Sequence, residues 1–386
     1  MKKIFYIGYF SDSDESKCRR TAPSADTKMQ YIIEAMVKEG YQVEVLSFCE
    51  SDIRDCLWRK DSGYQKKAGD VTVRFFNCFN SRFRILRLLG RKLSWLSKKI
   101  YIKKIVCNSD CSVLIYHSLY LLKTARLLKR NGKDFVYEAE EIYSDVLGKS
   151  HLREKEINTL KLGKGYIFST SMLSREINGD KKPELIVNGT YRSEPYTNVD
   201  VFKSKSGDMS NRVIHCVYAG ILDVRKGGLN AAAAARFLPE NYHIHILGYG
   251  SPEKVSEFKS NLEKIQENAS AKVTYDGVLY GGDYNNFLQS CDIGLSPQNP
   301  DAEFNATSFP SKILSYMANG LRVVSIRIPA IEQSEVGSMI YYYDNQTPEE
   351  IAEAIMKIDF NDEYDSRAAL EQLDKTFREK LKTLFP

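Results

Sequence analysis

Two stretches set cations beside a turn into a helix, an arrangement that can receive a phosphate. In "YAGILDVRKGG" (218–228) an apolar run ends at Gly220, Arg225 and Lys226 follow in a loop, and Gly227-Gly228 open a helical pattern. Backbone amides at a helix start, with a cation beside them, hold anionic oxygen. The same residues also read as a solvated turn with two exposed basic side chains. "NATSFPSKILSYMANG" (305–320) repeats the device. Ser308 suits an N-cap, Pro310 suits the first helical turn and Asn319-Gly320 supply a stop. Ile313, Leu314 and Met317 form the stripe to be buried. Lys312 falls in the first turn, where the helix dipole disfavours a cation unless an anion is bound.

The first half of the chain offers different chemistry. "SVLIYHSLY" puts His117 at the end of a strand-like run, and "FVYEAEEIYSD" (135–145) concentrates Glu138, Glu140, Glu141 and Asp145. Alternation places Glu138 and Glu140 on one face. Such carboxylates either form a solvated loop or bind and deprotonate a hydroxyl. A lone histidine at a strand end is either a satisfied structural group or a contact to a ligand.

The elements that position these residues alternate throughout. "KKIFYIG" is followed by "DTKMQYIIEAMVKEG", where Met29, Ile32, Ile33 and Met36 share a helical face and Gly40 can end the helix. "YQVEVLSF", "VTVRFF", "SVLIYHS", "DFVYEAE", "GYIFSTS" and "ELIVNG" come next, mostly continuous apolar runs of the kind buried on both faces of a parallel sheet. Polar, Gly- and Pro-bearing residues 189–212 break the rhythm and read as a connector. A second series then runs through "VIHCVYAG", "YHIHILG", "KVTYDG", "CDIGLSP", "LRVVS" and "MIYYY". The prediction is an α/β chain of two Rossmann-like, doubly wound parallel-sheet domains, 1–195 and 210–362, facing a central cleft. A charged amphipathic helix within 363–386 is expected to pack back on the first.

Bulk properties narrow the function classes. The 386 residues are 43% hydrophobic and 27% charged, ordinary for a globular protein of two domains. No run of about 18 apolar residues could cross a bilayer. The opening "MKKIFYIGYF" is too short and aromatic for a signal peptide and reads as a buried strand. Eight cysteines without a C-x-x-C pair indicate neither zinc nor a disulfide framework, which points to a reduced, cytoplasmic setting. A net charge of +5 does not by itself imply nucleic acid.

In the order of these pieces the chain resembles the retaining GT-B glycosyltransferases of family 4, over nearly its whole length. The family's Y-x-G-x-L-x-x-x-K-G element is matched by "YAGILDVRKG". The resemblance places Gly220, Arg225 and Lys226 around a donor diphosphate, with Ile221 where an arginine is usual. "YDGVLYGGDYNNFLQSCDIGLSP" resembles the segment bordering the nucleobase, which implies Tyr275, Gly277 and Val278 in that pocket. The family's paired glutamates fall on Thr307 and Ser315, so neither acid is present, though Ser315 can hydrogen-bond a ribose hydroxyl. A bacterial polysaccharide and capsule subgroup carries an FPSK helix mouth, here Ser308, Phe309, Pro310, Ser311 and Lys312. The resemblance further implies that His117 contacts the donor sugar, that Glu141 and its neighbours face the acceptor, and that the leaving diphosphate accepts the proton. Catalysis is then assigned to His117, Lys226 and Glu141. No metal and no cofactor beyond the nucleotide-sugar donor is implied.

One further stretch looks outward. Residues 81–106 hold nine basic side chains between Arg82 and Lys104 and no acid, and Leu86, Leu89, Leu93, Leu96 and Ile100 recur at three- and four-residue spacing. This is either a core helix with a solvated basic face or a helix that adsorbs on anionic lipid, with Trp95 near the interface. The resemblance therefore implies a hexosyltransferase, with a UDP-sugar favoured over a GDP-sugar as donor. Its acceptor is a saccharide or lipid-linked oligosaccharide of bacterial surface polysaccharide synthesis, at the inner face of the membrane, with no nucleic acid. The alternative is a non-catalytic GT-B subunit that binds saccharide or stabilises a partner transferase. An epimerase of the same fold would need acids in the second domain that the sequence does not place.

Overall fold

The structure is a computed structural model of the chain and describes residues 2–11, 19, 23–50, 59–61, 65–196, 212–222, 227–300 and 308–386. It divides into two compact units, Met1–Thr190 with Thr376–Pro386, and Tyr191–Lys375.

The first unit is built on an eight-stranded sheet. Its strands are β1 (Lys3–Gly8), β2 (Gln42–Ser47), β4 (Gln65–Ala68), β5 (Val71–Phe75), β7 (Ser112–Tyr116), β8 (Val136–Ala139), β9 (Gly165–Phe168) and β10 (Glu184–Ile186). They lie in the order β10-β9-β8-β7-β1-β2-β5-β4, parallel except for the last pair. Ile4, Phe5, Tyr6 and Ile7 are all buried, as a central strand covered on both faces requires. Helix α1 (Pro23–Lys38) covers one face through Met29, Ile32, Ile33 and Met36, all buried, and the chain reverses at Gly40 with φ 85°. The exposed edge strand β4 carries Lys66 and Lys67, which discourages pairing with another chain. A small antiparallel pair, β3 (Arg59–Asp61) with β6 (Cys78–Asn80), lies outside this sheet.

Helix α2 (Arg84–Tyr101), continued by a π-helical turn over Ile102–Val106, is seated unusually. Its buried residues are Gly90, Ser94 and Lys98, one per turn. A Cβ on Gly90 would lie 2.6 Å from Phe79 O. Ser94 Oγ donates to Asn77 O at 3.1 Å, and Lys98 Nζ stands 4.8 Å over the Phe48 ring. On the opposite side, Ile85, Leu89, Leu93, Leu96 and Ile100 are 73%, 48%, 47%, 48% and 46% exposed. The helix is thus seated through Gly90, Ser94 and Lys98, with Trp95 and Tyr101 packed against the core, and turns its leucines outward. The core-helix reading of this stripe is corrected, and Ile85 rather than half-buried Leu86 begins it.

The remaining helices of this unit are α3 (Leu122–Arg130), α4 (Tyr143–Val146), α5 (Arg153–Leu160) and α6 (Ser171–Ile177). The second unit has a six-stranded, wholly parallel sheet. Its strands are β11 (Ile214–Ile221), β12 (Tyr242–Tyr249), β13 (Lys272–Gly277), β14 (Ile293–Ser296), β15 (Arg322–Ile326) and β16 (Ile340–Tyr343). Their order is β13-β12-β11-β14-β15-β16. Between them run α7 (Gly228–Ala233), α8 (Pro252–Gln266), α9 (Gly281–Ser290), α10 (Lys312–Ala318) and α11 (Pro329–Glu332), and α12 (Pro348–Met356) follows β16. The strand order doubles back at β11, which has β12 on one side and β14 on the other, so its carboxyl end is the switch point where ligands bind in such sheets.

Helix α13 (Ser366–Leu384) supplies residues to both units. Its last turns complete the first unit, where Tyr31 stacks on Phe377 at 5.6 Å and Tyr41 Oη donates to Phe385 O at 2.6 Å.

Candidate functional site

At the carboxyl edge of the second sheet, register sets Gly220 of β11 beside Gly248 of β12, and Gly277 of β13 beside Leu247. Glycine thus stands last on β13 and next to last on β11 and β12, where exposed Ile221 and Tyr249 follow it. A Cβ on Gly248 would fall 2.5 Å from Gly220 O, so the strands approach too closely there for any larger residue. Tyr275 is half-buried with its hydroxyl donating to Gly248 O at 2.7 Å, and Val278 beyond it is exposed.

Lys312 reaches this edge from α10. Its Nζ lies 4.0 Å over the Tyr218 ring and 3.2 Å from where a Cβ on Gly220 would stand. The Tyr218 hydroxyl is tied to Ile221 O at 3.0 Å, which fixes the ring under the ammonium. Burial in this setting strengthens a cation–π contact and holds the positive charge beside the glycine edge. Gly227 has φ 74°, and a Cβ there would overlap Pro297 O. Only glycine fits that turn into α7. Arg225, Lys226 and Thr307 lie outside the described residues.

The FPSK turn differs from expectation in one respect. The N-cap of α10 is Ser311, already in helical conformation and without a side-chain cap bond, so Ser308 does not cap the helix and Pro310 precedes it. The reason is a tight turn in which Ile313 N donates to Pro310 O at 3.1 Å, which starts the helix after the proline. Phe309 is buried and Ser311 exposed. One turn into α10, Ser315 Oγ is 3.3 Å from the Tyr284 hydroxyl of α9. Tyr316 accepts from Ala219 N at 2.8 Å and donates to Leu295 O at 3.2 Å, locking α10 onto β11 and β14.

In the first unit the carboxyl edge is acidic and aromatic. His117 follows β7, as the sequence reading places it, but its ring is fully buried. Its Nε2 meets Glu156 Oε1 at 2.6 Å, and Glu156 also accepts from Tyr143 N and Ser144 N, each at 2.9 Å. His117 and Glu156 together thus pin the start of α4. Exposure of the imidazole to a ligand was expected and is not what the structure has. Glu138 is buried beneath Tyr6, whose hydroxyl donates to it, and burial pushes its carboxyl well above the ordinary range, with Glu140 adding to the shift. Glu141 is half-buried at the same edge.

Several groups here escaped the sequence reading. Lys28 of α1 is buried, donates to Val187 O at 2.7 Å and Gly189 O at 3.2 Å, and pairs with Glu140 at 3.5 Å. Burial pushes its pKa down against the pull of Glu140. Tyr116 and Tyr143 share a hydroxyl contact of 2.9 Å. Burial pushes both phenols up, so they stay protonated and available as donors. Lys28 had a legible signal: with Ala25, Met29 and Ile32 it lies on the buried face of α1, where a lone lysine needs a reason.

The comparisons agree with this architecture. No curated protein matches the sequence. Residues 214–358 match the family described as Glycosyl transferases group 1. Among solved structures, an α,α-trehalose-phosphate synthase (UDP-forming) from Burkholderia vietnamiensis matches with TM-score 0.62 at 11% identity, over 100% of this chain and 99% of that one. A sucrose-phosphate synthase from Thermosynechococcus elongatus gives TM-score 0.60 at 14% identity, over 100% and 95%. Anabaena HepE, in complex with UDP, gives 0.59 at 13%, over 99% and 100%. The chain therefore has a GT-B fold, two parallel-sheet α/β domains, and its second unit carries a domain matching Glycosyl transferases group 1.

Proposed function

We propose that the protein is a retaining hexosyltransferase of bacterial surface polysaccharide synthesis, taking a UDP-sugar as donor and a saccharide or lipid-linked oligosaccharide as acceptor. The observation that carries the reading is the Lys312 ammonium fixed over Tyr218 beside Gly220, at the switch point of the second sheet. Gly277, where a Cβ would meet nothing within 4 Å, leaves room for the nucleotide at the end of β13, and Lys312 neutralises charge as the diphosphate leaves. Lys226 and Arg225 share that task on the strength of the family resemblance. Preference for UDP is supported by the trehalose-phosphate synthase, described as UDP-forming, and by HepE, solved with UDP. Glu141, half-buried among Tyr116 and Glu140, is the acceptor-side carboxylate. His117 serves it indirectly by holding α4 through Glu156.

The outward leucines of α2 and the surrounding arginines and lysines support adsorption on an anionic lipid surface, which would bring the chain to a lipid-linked acceptor. No helix among the described residues is long and apolar enough to cross a membrane.

The test is a thermal-shift and calorimetric panel of UDP, GDP, ADP and their sugar conjugates. A ligand at about 100 times its dissociation constant stabilises the fold by roughly 2.7 kcal/mol. A response confined to UDP and UDP-sugars is expected. Silence from every nucleotide in a folded sample would overturn the donor assignment. It would favour the second reading, a saccharide-binding subunit without catalysis, which the Tyr284 contact of Ser315 supports: the hydroxyl that stands where the family has an acid is already engaged.

A further inference from the structure

The second sheet carries a histidine cluster that the donor site does not use. His243 and His245 sit two residues apart on β12, so their side chains emerge on one face, and His215 of β11 is the register partner of His243. One ring nitrogen from each of the three lies within 4.8 Å of the other two. His215 Nδ1 and His245 Nε2 are 2.9 Å apart, and the His243 and His245 ring centroids are separated by 3.8 Å.

The surrounding bonds fix the rings. Asp276 Oδ2 accepts from His245 Nδ1 at 3.2 Å and from the Thr274 hydroxyl at 2.9 Å. Thr274 Oγ1, its proton given to Asp276, accepts from His243 Nε2 at 3.0 Å. The protons are thereby assigned: His245 keeps an Nε2 lone pair and His243 an Nδ1 lone pair. A carboxylate holding the far nitrogen of an imidazole is the arrangement that orients histidines toward a metal.

We infer that His215, His243 and His245 form a binding site for a divalent first-row transition ion of the zinc class. Imidazole suits this class, and three histidines with one open position is a known coordination pattern. At Zn–N distances of about 2.0–2.1 Å, tetrahedral nitrogens stand about 3.3–3.4 Å apart. The 2.9 Å pair therefore opens slightly and the widest approach closes by under about 1.5 Å, within the reach of side-chain rotation. The ion takes the place of the proton shared by His215 and His245. His215 and His243 are half-buried, so the site is open to entry from solvent. Lys272, opposite His243 in the register, is exposed.

This site is separate from the donor edge. His215 and Gly220 lie on the same strand, and five residues at about 3.3 Å each put them about 16 Å apart. The ion joins β11 to β12 directly and to β13 through Asp276, so its effect is on the second sheet and not on sugar transfer.

The test uses the full chain, stripped with EDTA and titrated with Zn²⁺ by calorimetry and with Co²⁺ by visible absorption at pH 7.5. One equivalent with a tetrahedral Co²⁺ spectrum is expected. Asp276→Asn should weaken binding about 10- to 100-fold, as loss of an outer carboxylate does. The pair His215→Gln and His243→Gln should abolish the equivalent while leaving all eight cysteines in place. Undiminished Zn²⁺ binding in that pair, with its circular dichroism unchanged, would assign the metal to cysteines and overturn the inference. No binding by the folded wild-type chain at about 100 times micromolar Zn²⁺ would overturn it equally.

Discussion

Replacing Leu89, Leu93 and Leu96 together by glutamine separates what holds α2 in place from what it offers to its surroundings. The three side chains are 48%, 47% and 48% exposed, so roughly half of each remains to be removed from water. Fully burying a leucine gives about 1.5–3 kcal/mol, hence about 1 kcal/mol for each exposed half and about 3 kcal/mol together. At about 1.4 kcal/mol per factor of ten, partitioning onto lipid should fall about 100-fold. Folding stability should hardly change, because exposed substitutions away from special features stay within about 0.5 kcal/mol and glutamine is a good helix former. The assay is flotation with vesicles containing phosphatidylserine, compared with purely zwitterionic vesicles, at about 0.15 M salt. Gly90→Ala is the contrasting variant. Its Cβ would press 2.6 Å from Phe79 O, so it should lower the melting temperature while leaving every exposed leucine in place. If the triple-glutamine protein floats with anionic vesicles as well as wild type does, the leucines are not the contact and the adsorption argument fails.

Three further outcomes follow from the site geometry. Lys312→Met should weaken UDP binding by about 1.5–3 kcal/mol, the worth of a hydrogen bond to a charged group, and calorimetry giving an unchanged Kd would remove Lys312 from the donor site. Gly227→Ala combines a φ of 74° with overlap on Pro297 O, so a cost of at least about 1–3 kcal/mol is expected in urea denaturation, and a wild-type midpoint would contradict the turn described here. Glu138 supplies a pH dependence. Its folded pKa is raised well above the ordinary 4.5, so the stability it contributes is complete below about that pH and is lost as pH rises toward the folded value. Glu138→Gln removes the titration. Its stability relative to wild type should therefore improve between pH 4.5 and 7.5, and a flat difference would show that the carboxyl is not held protonated.

The parallel strands were legible because burial on both faces leaves continuous runs such as "KIFYIG" and "SVLIY", whereas the antiparallel β3, β4 and β6 carry no such run and were not read. Lys312 at the helix mouth was legible from its conflict with the helix dipole. The reach of its ammonium to Tyr218 was not, because that contact joins residues 94 positions apart through the sheet. His117 was placed correctly at the end of β7, yet its partner Glu156 lies 39 residues away and nothing local announces the pairing. The leucine spacing in α2 predicted a stripe but not its direction. That depended on Gly90, Ser94 and Lys98 fitting against Phe79, Asn77 and Phe48, a matter of shape that periodicity does not carry. The histidines behave similarly: "HIHILG" shows two on one face, whereas His215 joins them only once the register is known.

Helix α13 has a consequence for the order in which the chain is made. The first unit needs Thr376–Pro386, where Leu381 and Phe385 are buried and the Leu384 side chain would touch a Cβ on Gly165 at 3.0 Å. A ribosome adding about 5–20 residues per second takes about 10–40 s to travel from Thr190 to Thr376. Throughout that interval the nascent first unit exposes the slot around Tyr31 and Tyr41 that Phe377 and Phe385 later fill. The second unit, whose residues are contiguous, can close before the first one does. Translation thus delivers the two units in one order and finishes them in the other, and the interval between is when a chaperone has an apolar slot to hold.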